Sequence, residues 1–437
     1  MTQPECNAHE QDCVEESILA RLQASPGNTR VLLELQSYYK QHARHEEESA
    51  ILRHLLDVDL VADERAEALH DLVYALYRQG NLAEAISRAE TLLGAYPDYR
   101  YLSSVLWLLG VMYADLANRP ELAVNWRQYV AMAERNLTSA LQYVDDRDER
   151  ASILVELGAA QSSSGKLIEA RSTFERALDN GIEEPRTLTL CYQQLGRVFY
   201  RLDQDEQAKR CYEQAVLVAP RQPSNARALA YIDLAALSRQ EGDIDEAERC
   251  CQLARQVLDA SNSVAESVVL EALHEELGNI SYEKGEYQLA IDHYETAMQR
   301  ANLPEKQDEL YYKLSAVLQW NGQYERALEV LRQALALQLS SPSPDQERVG
   351  EILLHMGQYA YVLGDNQRAA IVLEKAAEKV PLSMLIDVHL TLGRSYFSLR
   401  RFDTAAKSYK QVIRNARILS PEWKEAVKYL VLTRVVR

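Results

Sequence analysis

The sequence predicts an all-α protein built as a linear array of antiparallel helix pairs. In eight places along the 437 residues an alanine stands five residues after a turn residue. These pairs are Gly80 with Ala85, Gly165 with Ala170, Asp203 with Ala208, Gly242 with Ala247, Gly285 with Ala290, Gly322 with Ala327, Gly364 with Ala369 and Arg400 with Ala405. Because a helix pair can bury its apolar face only against a neighbouring pair, this repeat predicts a solenoid that acts by binding.

Small residues also mark the first helix of each predicted pair. Seven residues before the turn residue stands a glycine or its substitute, usually after leucine, and four residues after the recurring alanine stands a larger side chain. The clearest glycines are Gly158, Gly196, Gly278 and Gly393. Spacings of three and four residues keep such positions on one helical face. Two helices approach closely where no bulky side chain stands at their crossing, so the pattern predicts tightly crossed pairs.

This signature of Leu-Gly, aromatic, Ala, aromatic and Pro resembles the tetratricopeptide repeat family. The resemblance is strongest from residue 148 to residue 419, where the recurring alanines follow one another at steps of 36 to 43 residues, longer than the family's usual repeat of about 34. It implies a right-handed superhelical solenoid of about nine repeats that ends in a C-terminal capping helix.

Five segments are predicted from these patterns. Residues 1–13 are polar and are predicted to be a disordered tail, and residues 14–98 hold a degenerate helix pair and the first recognisable repeat. Residues 99–147 form a divergent hairpin with a long helix that Pro120 opens. Residues 148–419 are the main array, and residues 420–437 are the capping helix.

Composition and charge narrow the class of partner. No run of 18 uncharged apolar residues occurs and the N-terminus is unlike a signal sequence, so we expect a cytoplasmic protein without a membrane partner. The net charge is −17, yet residues 398–437 carry ten Lys and Arg against three acids, a net of +7. An acidic body repels phosphates, so nucleic acid is not expected as a partner. The basic end could bind an acidic protein or a second copy, which leaves self-association through the terminal repeats open.

The sequence carries no signature of catalysis. The metalloprotease helix, the phosphate-binding loop, the dinucleotide fingerprint and the serine-hydrolase elbow are all missing from it. Cys6, His9 and Cys13, with His42 and His45, are residue types that bind zinc, but their spacing matches no standard zinc motif. We therefore expect neither an enzyme nor a cofactor or metal.

The candidate binding residues lie on the predicted first helices, which line the concave surface in the family that the chain resembles. One set follows the Leu-Gly pair or its variant by one residue, and the other stands three residues later on the same face: Arg197, Asn279, Gln358 and Arg394, then Tyr200, Tyr282, Tyr361 and Phe397. Aromatic and Arg side chains are typical of binding hot spots. A packing role for the tyrosines is the alternative.

Two functions fit this sequence. The first is a non-catalytic scaffold or adaptor that binds a partner peptide or helix in the concave groove. The second is a regulatory sensor whose groove binds a small molecule or a signal peptide. A scaffold should offer many shallow contacts, whereas a sensor should have one deep pocket with convergent polar groups. The identity of the partner stays open at this stage.

Overall fold

The computed structural model describes residues 3–117, 125–219, 225–260, 267–301, 304–341 and 344–435, with side chains described from Val14 onward. These residues divide into two compact units, residues 1–218 and residues 219–437. Within the described ranges all regular structure is helical, which confirms the all-α fold class. It comprises 22 helices, and twenty of them form antiparallel pairs.

Unit 1 holds a leading helix and five helix pairs. The helices are α1 Gln3–Ala24, α2 Thr29–Gln41, α3 His45–Asp57, α4 Ala62–Arg78, α5 Leu82–Ala95, α6 Leu102–Ala117, α7 Trp126–Ala140, α8 Arg147–Ser163, α9 Leu167–Asn180, α10 Pro185–Arg201 and α11 Asp205–Val218. Helix α1 packs on α2, and the pairs run from α2 with α3 to α10 with α11.

Unit 2 holds five further pairs and a final helix. Its helices are α12 Asn225–Gln240, α13 Ile244–Asp259, α14 Ser267–Glu283, α15 Tyr287–Met298, α16 Pro304–Trp320, α17 Tyr324–Ser340, α18 Gln346–Val362, α19 Asn366–Ala377, α20 Leu385–Ser398, α21 Phe402–Asn415 and α22 Pro421–Val435. The pairs run from α12 with α13 to α20 with α21, and α22 packs on the last pair as a cap.

The backbone of the turns confirms the predicted repeat register. All eight predicted turn residues have a positive φ, from 56° at Asp203 to 85° at Gly242. Glycine adopts this left-handed conformation without steric cost, which explains why it fills six of the eight places. A further turn of the same kind lies at Ala43, with a φ of 52°, between α2 and α3. The sequence pattern did not indicate that turn because Glu48, and not alanine, stands five residues after it.

The small residues of the first helices lie where each pair crosses. A Cβ built on Gly278 would lie 2.7 Å from Cε1 of the buried Tyr294 ring on the second helix. A Cβ on Gly110 would lie 2.6 Å from Cγ of Leu137, so α6 and α7 cross in the same way as the regular pairs. We call the residue at this place in each first helix, seven residues before the turn residue, the crossing residue.

One predicted boundary differs within the described residues, and another lies outside them. Helix α1 begins at Gln3, within the segment 1–13 that was predicted to be disordered. The long helix predicted to open at Pro120 corresponds to α7, Trp126–Ala140, and Pro120 itself lies outside the described residues. The division of the chain into two units falls between residues 218 and 219, within the predicted main array of residues 148–419. The predicted division into five segments stays a prediction.

The crossing predicts opposite effects for one substitution at two glycines. Gly278→Ala should lower the free energy of unfolding by about 1–3 kcal/mol, because the added methyl group overlaps the buried Tyr294 ring. Gly94→Ala in α5 should raise it by about 0.5–1 kcal/mol, since no atom lies within 4 Å of the added Cβ and alanine favours the helix. Thermal and urea denaturation of both variants check this. A change of the same sign at both glycines would contradict the assigned crossing.

Candidate functional site

The predicted binding residues lie on first helices that contact one another. In unit 1, α6 and α10 each contact α8, and in unit 2 α14 contacts α12 and α20 contacts α18. Arg197 and Tyr200 lie on α10 of unit 1. The other six lie in unit 2, on α14 (Asn279, Tyr282), α18 (Gln358, Tyr361) and α20 (Arg394, Phe397). All eight side chains are half-buried, and their role in binding stays a prediction.

Asn279 takes part in an internal polar network. Its Nδ2 donates to Oε2 of Glu276 at 2.8 Å, and its Oδ1 accepts from the hydroxyl of Tyr294 at 2.8 Å. Arg239 on the preceding first helix donates to Glu276 (Nε to Oε1, 2.6 Å) and to Glu283 (Nη1 to Oε1, 2.7 Å). Burial raises the pKa of Glu276, while Arg239 opposes that shift. The network links α12 to α14 at the face where Asn279 lies.

Arg394 and Phe397 contact the final helix, α22. The guanidinium of Arg394 forms a bidentate pair with Glu425 on α22, with Nε to Oε1 at 2.7 Å and Nη2 to Oε2 at 2.6 Å. The rings of Phe397 and Tyr429 meet edge to face with centroids 5.3 Å apart, and Tyr429 stacks on Tyr409 at 5.6 Å. Both predicted site residues on α20 therefore contact the cap.

An exposed aromatic group lies beside Tyr282 and was not predicted from the sequence. The ring of Tyr282 lies 6.1 Å from that of Tyr287, which stacks at 6.4 Å on Trp320. Trp320 is 61% exposed. It stands two residues before the turn residue Gly322, a place where the repeat pattern requires no particular side chain. Its type is the only sequence signal that could have found it, since tryptophan is the residue most typical of binding hot spots.

Cavities along the described residues are modest in size. In unit 2, one of about 320 Å³ lies between α13, α14 and α15 beside Arg255 and His293, and another of about 470 Å³ lies along α19, α20 and α21 beside His389. In unit 1, a cavity of about 140 Å³ lies between α6, α7 and α8. The two larger cavities lie at the low end of the range for small-molecule sites, about 300–1,000 Å³.

The residues weighed as zinc ligands are not brought together where they can be placed. Nδ1 of His42 lies 2.7 Å from the carbonyl oxygen of Tyr38, and His45 pairs with Glu48 at 3.1 Å. The side chains of Cys6, His9 and Cys13 lie outside the described residues. Over the described part of the chain, no group of three or more His, Cys, Asp or Glu side chains is arranged to hold a metal ion.

Two histidines of unit 2 pair with each other across a helix pair. Nδ1 of His274 lies 3.2 Å from Nδ1 of His293, a distance at which one ring donates and the other accepts, so at least the accepting ring is neutral. Burial lowers the pKa of both rings, and that of His274 falls to about 4. His274 thus packs inside its repeat.

This pair predicts a loss of stability in acid. The unfolded chain binds a proton at His274 below its ordinary pKa of about 6.5, whereas the native ring stays neutral down to about pH 4. The stabilisation is therefore complete above pH 6.5 and falls as the pH drops towards 4. The fall in Tm between pH 7 and pH 5 should be smaller in His274→Asn than in the wild type. His54→Asn, at an exposed histidine, is the control; an equal fall in all three proteins would contradict the prediction.

Comparisons with known proteins agree with this geometry. A tetratricopeptide repeat model matches residues 306–379, a second matches residues 386–417, and the model of the SusR N-terminal TPR domain matches residues 62–266. This chain is a tetratricopeptide repeat protein. A search of curated proteins found no match to the sequence. Over the described residues, no helix is both long and apolar enough to cross a membrane.

Solved structures show the same fold at low sequence identity. A monomeric mutant of IFIT1 with Gppp-AAAA is 14% identical to this tetratricopeptide repeat chain. The match covers 98% of this chain and 95% of the IFIT1 chain, with a TM-score of 0.53. The C-terminal part of a TPR repeat-containing protein from Cytophaga hutchinsonii is 17% identical to this chain. The match covers 63% of this chain and 99% of the Cytophaga chain, with a TM-score of 0.45. Yeast Tom70 is 13% identical, covers 98% and 93%, and has a TM-score of 0.41. The similarity to the IFIT1 structure concerns the fold.

Proposed function

We propose that this protein is a non-catalytic scaffold or adaptor that binds a partner peptide or helix along its first helices. The tetratricopeptide repeats support a protein-interaction scaffold in general terms. The proposal adds the surface: in unit 2, the half-buried row of Tyr282, Gln358 and Tyr361 together with the exposed Trp320. In unit 1, Tyr200 offers a half-buried ring whose hydroxyl donates no hydrogen bond to any described residue.

The observation that carries the proposal is the aromatic stack of Tyr282, Tyr287 and Trp320. Trp320 leaves 61% of its surface open although its ring stacks on Tyr287. A large ring held rigidly at the surface gives much contact area for little loss of conformational entropy. The neighbouring Tyr282 and Asn279 extend this surface with a second ring and an amide. An extended peptide or a helix is long enough to contact several such positions in turn.

The sensor alternative receives less support. The two larger cavities of unit 2 lie between second helices and the helix beneath them rather than along the first-helix row. A sensor needs one pocket in which several polar groups converge. The row instead spreads its polar and aromatic side chains over successive helices, an arrangement that suits a long partner.

The proposal predicts a selective loss of partner capture. A partner should first be identified by affinity purification with mass spectrometry, and its dissociation constant measured. Trp320→Ala and Tyr282→Ala should each weaken binding about 30-fold, since loss of one interface anchor costs about 2 kcal/mol. Leu339→Ala, at a residue of α17 that is 58% exposed, is the matched control and should leave binding unchanged.

Melting temperatures separate binding from folding in this experiment. Trp320→Ala should leave Tm nearly unchanged, because most of the side chain is already in water. Arg394→Ala should lower Tm, because it leaves Glu425 without its bidentate partner. Unchanged affinity in both Trp320→Ala and Tyr282→Ala would refute the proposed surface.

A further inference from the structure

One ion pair recurs between successive first helices. In unit 1, Nζ of Lys40 on α2 lies 2.7 Å from Oδ1 of Asp71 on α4. In unit 2, Nε of Arg239 on α12 lies 2.6 Å from Oε1 of Glu276 on α14. Lys40 and Arg239 each stand four residues after the crossing residue of their helix, which is Gln36 on α2 and Ala235 on α12. The carboxylates stand two residues before the crossing residue of the next first helix, which is Val73 on α4 and Gly278 on α14. The repeat geometry therefore brings these two positions together.

The same two positions meet again between α6 and α8, but there the cation is missing. Four residues after the crossing residue Gly110 stands Ala114, and two residues before Gly158 stands Glu156. The Glu156 side chain is half-buried, and its open part lines the cavity of unit 1. No hydrogen bond or ion pair joins it to any described residue. Burial and the nearby Asp115 raise the pKa of Glu156.

The α6–α8 cavity, as we call the cavity of about 140 Å³, occupies the place of the missing side chain. Ala114, Asp115, Val130, Ala133, Glu156 and Ser163 are among the residues that line it. The hydroxyl of Tyr77 on α4 donates to Asp115, which holds the phenol proton and raises the pKa of Tyr77 to about 12. Two carboxylates therefore lie at this cavity. In unit 2 one guanidinium likewise contacts two carboxylates, Glu276 and Glu283, although both of those lie on α14.

Size and charge together select the occupant. A cavity of about 140 Å³ is smaller than the sites of drug-sized ligands and suits the end of one side chain. A buried carboxylate without a partner is costly, and a cation beside it repays part of that cost. A guanidinium offers five donors in a planar fork and can contact two carboxylates at once, whereas an ammonium acts as a point charge. Apolar walls such as Val130 and Ala133 suit the carbon chain of arginine.

We propose that the α6–α8 cavity binds the guanidinium group of an arginine side chain of the partner peptide. The arginine of the partner forms with Glu156 the kind of ion pair that Arg239 forms with Glu276 inside unit 2. This inference rests on the proposed function for its source of arginine, but the cavity and its chemistry stand on the geometry of unit 1 alone. Free arginine carries the same guanidinium group as an arginine side chain of the partner, so the cavity recognises the same group in both.

The cavity can be tested without knowledge of the partner. N-acetyl-arginine amide should bind the full-length protein, as followed by NMR titration, and N-acetyl-citrulline amide, which has nearly the same shape without the charge, should not. Glu156→Gln should weaken binding of the arginine probe at least tenfold without lowering Tm, because it removes an unpaired buried charge. Equal binding of the two probes, or full binding to Glu156→Gln, would overturn the proposal.

Two exchanges between the units sharpen this test. Ala114→Arg places in unit 1 the residue that α12 of unit 2 carries at this position, so it should fill the cavity, raise Tm and abolish probe binding. Arg239→Ala should open the equivalent place in unit 2 and add a second site for the probe. If Ala114→Arg bound the probe as the wild type does, the cavity would not be the site.

Two comparisons then decide the source of the cation. Arg119 lies outside the described residues, and Arg119→Ala should bind the probe as the wild type does; binding that appears only in this variant would show the cavity to be filled from within the chain and would overturn the proposal. In partner capture, Ala114→Arg should weaken binding at least tenfold. Unchanged capture by Ala114→Arg, with loss in Trp320→Ala, would refute the arginine site and leave the proposed function standing. Unchanged capture by both would refute the proposed function.

Discussion

The close crossing of the two helices within each pair is the constraint on which the rest of this structure depends. At Gly278 and Gly393 the first helix carries no side chain, and the aromatic ring of the second helix lies directly against its backbone. This contact sets the distance between the two helices and also their register, because a shift by one residue would place a larger side chain against the ring. Each first helix therefore presents the same positions to its neighbours.

Because the register is constant, equivalent positions of the first helices form a row. The position four residues after the crossing residue is Lys40 on α2, Arg239 on α12 and Tyr282 on α14. Lys40 and Arg239 pair with the next first helix, whereas the ring of Tyr282 lies against Tyr287 of its own pair. What the row does is decided by the side chain that stands there. A cation forms an ion pair with the following helix, an aromatic ring offers a contact surface, and the alanine of α6 leaves a cavity. One backbone geometry thus holds an ion pair in one repeat, an aromatic ring in another and a cavity in a third.

Electrostatics explains why the repeats differ so much along one row. The chain has 65 acidic against 48 basic residues, so its acids outnumber the cations that could pair with them. Glu276 has Arg239 and Glu425 has Arg394, whereas no described cation reaches Glu156. A carboxylate enclosed without a partner is costly to the folded state. Such a group is consistent with a site whose counter-charge comes from another molecule.

The sequence by itself determined the fold class, the turns and the crossing glycines, because these are local properties: a turn that needs a positive φ selects glycine, and a crossing that excludes a side chain does the same. It also predicted which helix face carries the candidate residues. Only the tertiary structure decided which of them contact the protein itself, as Arg394 and Phe397 contact α22. Glu156 and Ala114 lie 42 positions apart, and nothing local to either marks a cavity. Their meeting depends on how α8 packs against α6, which a single repeat does not encode.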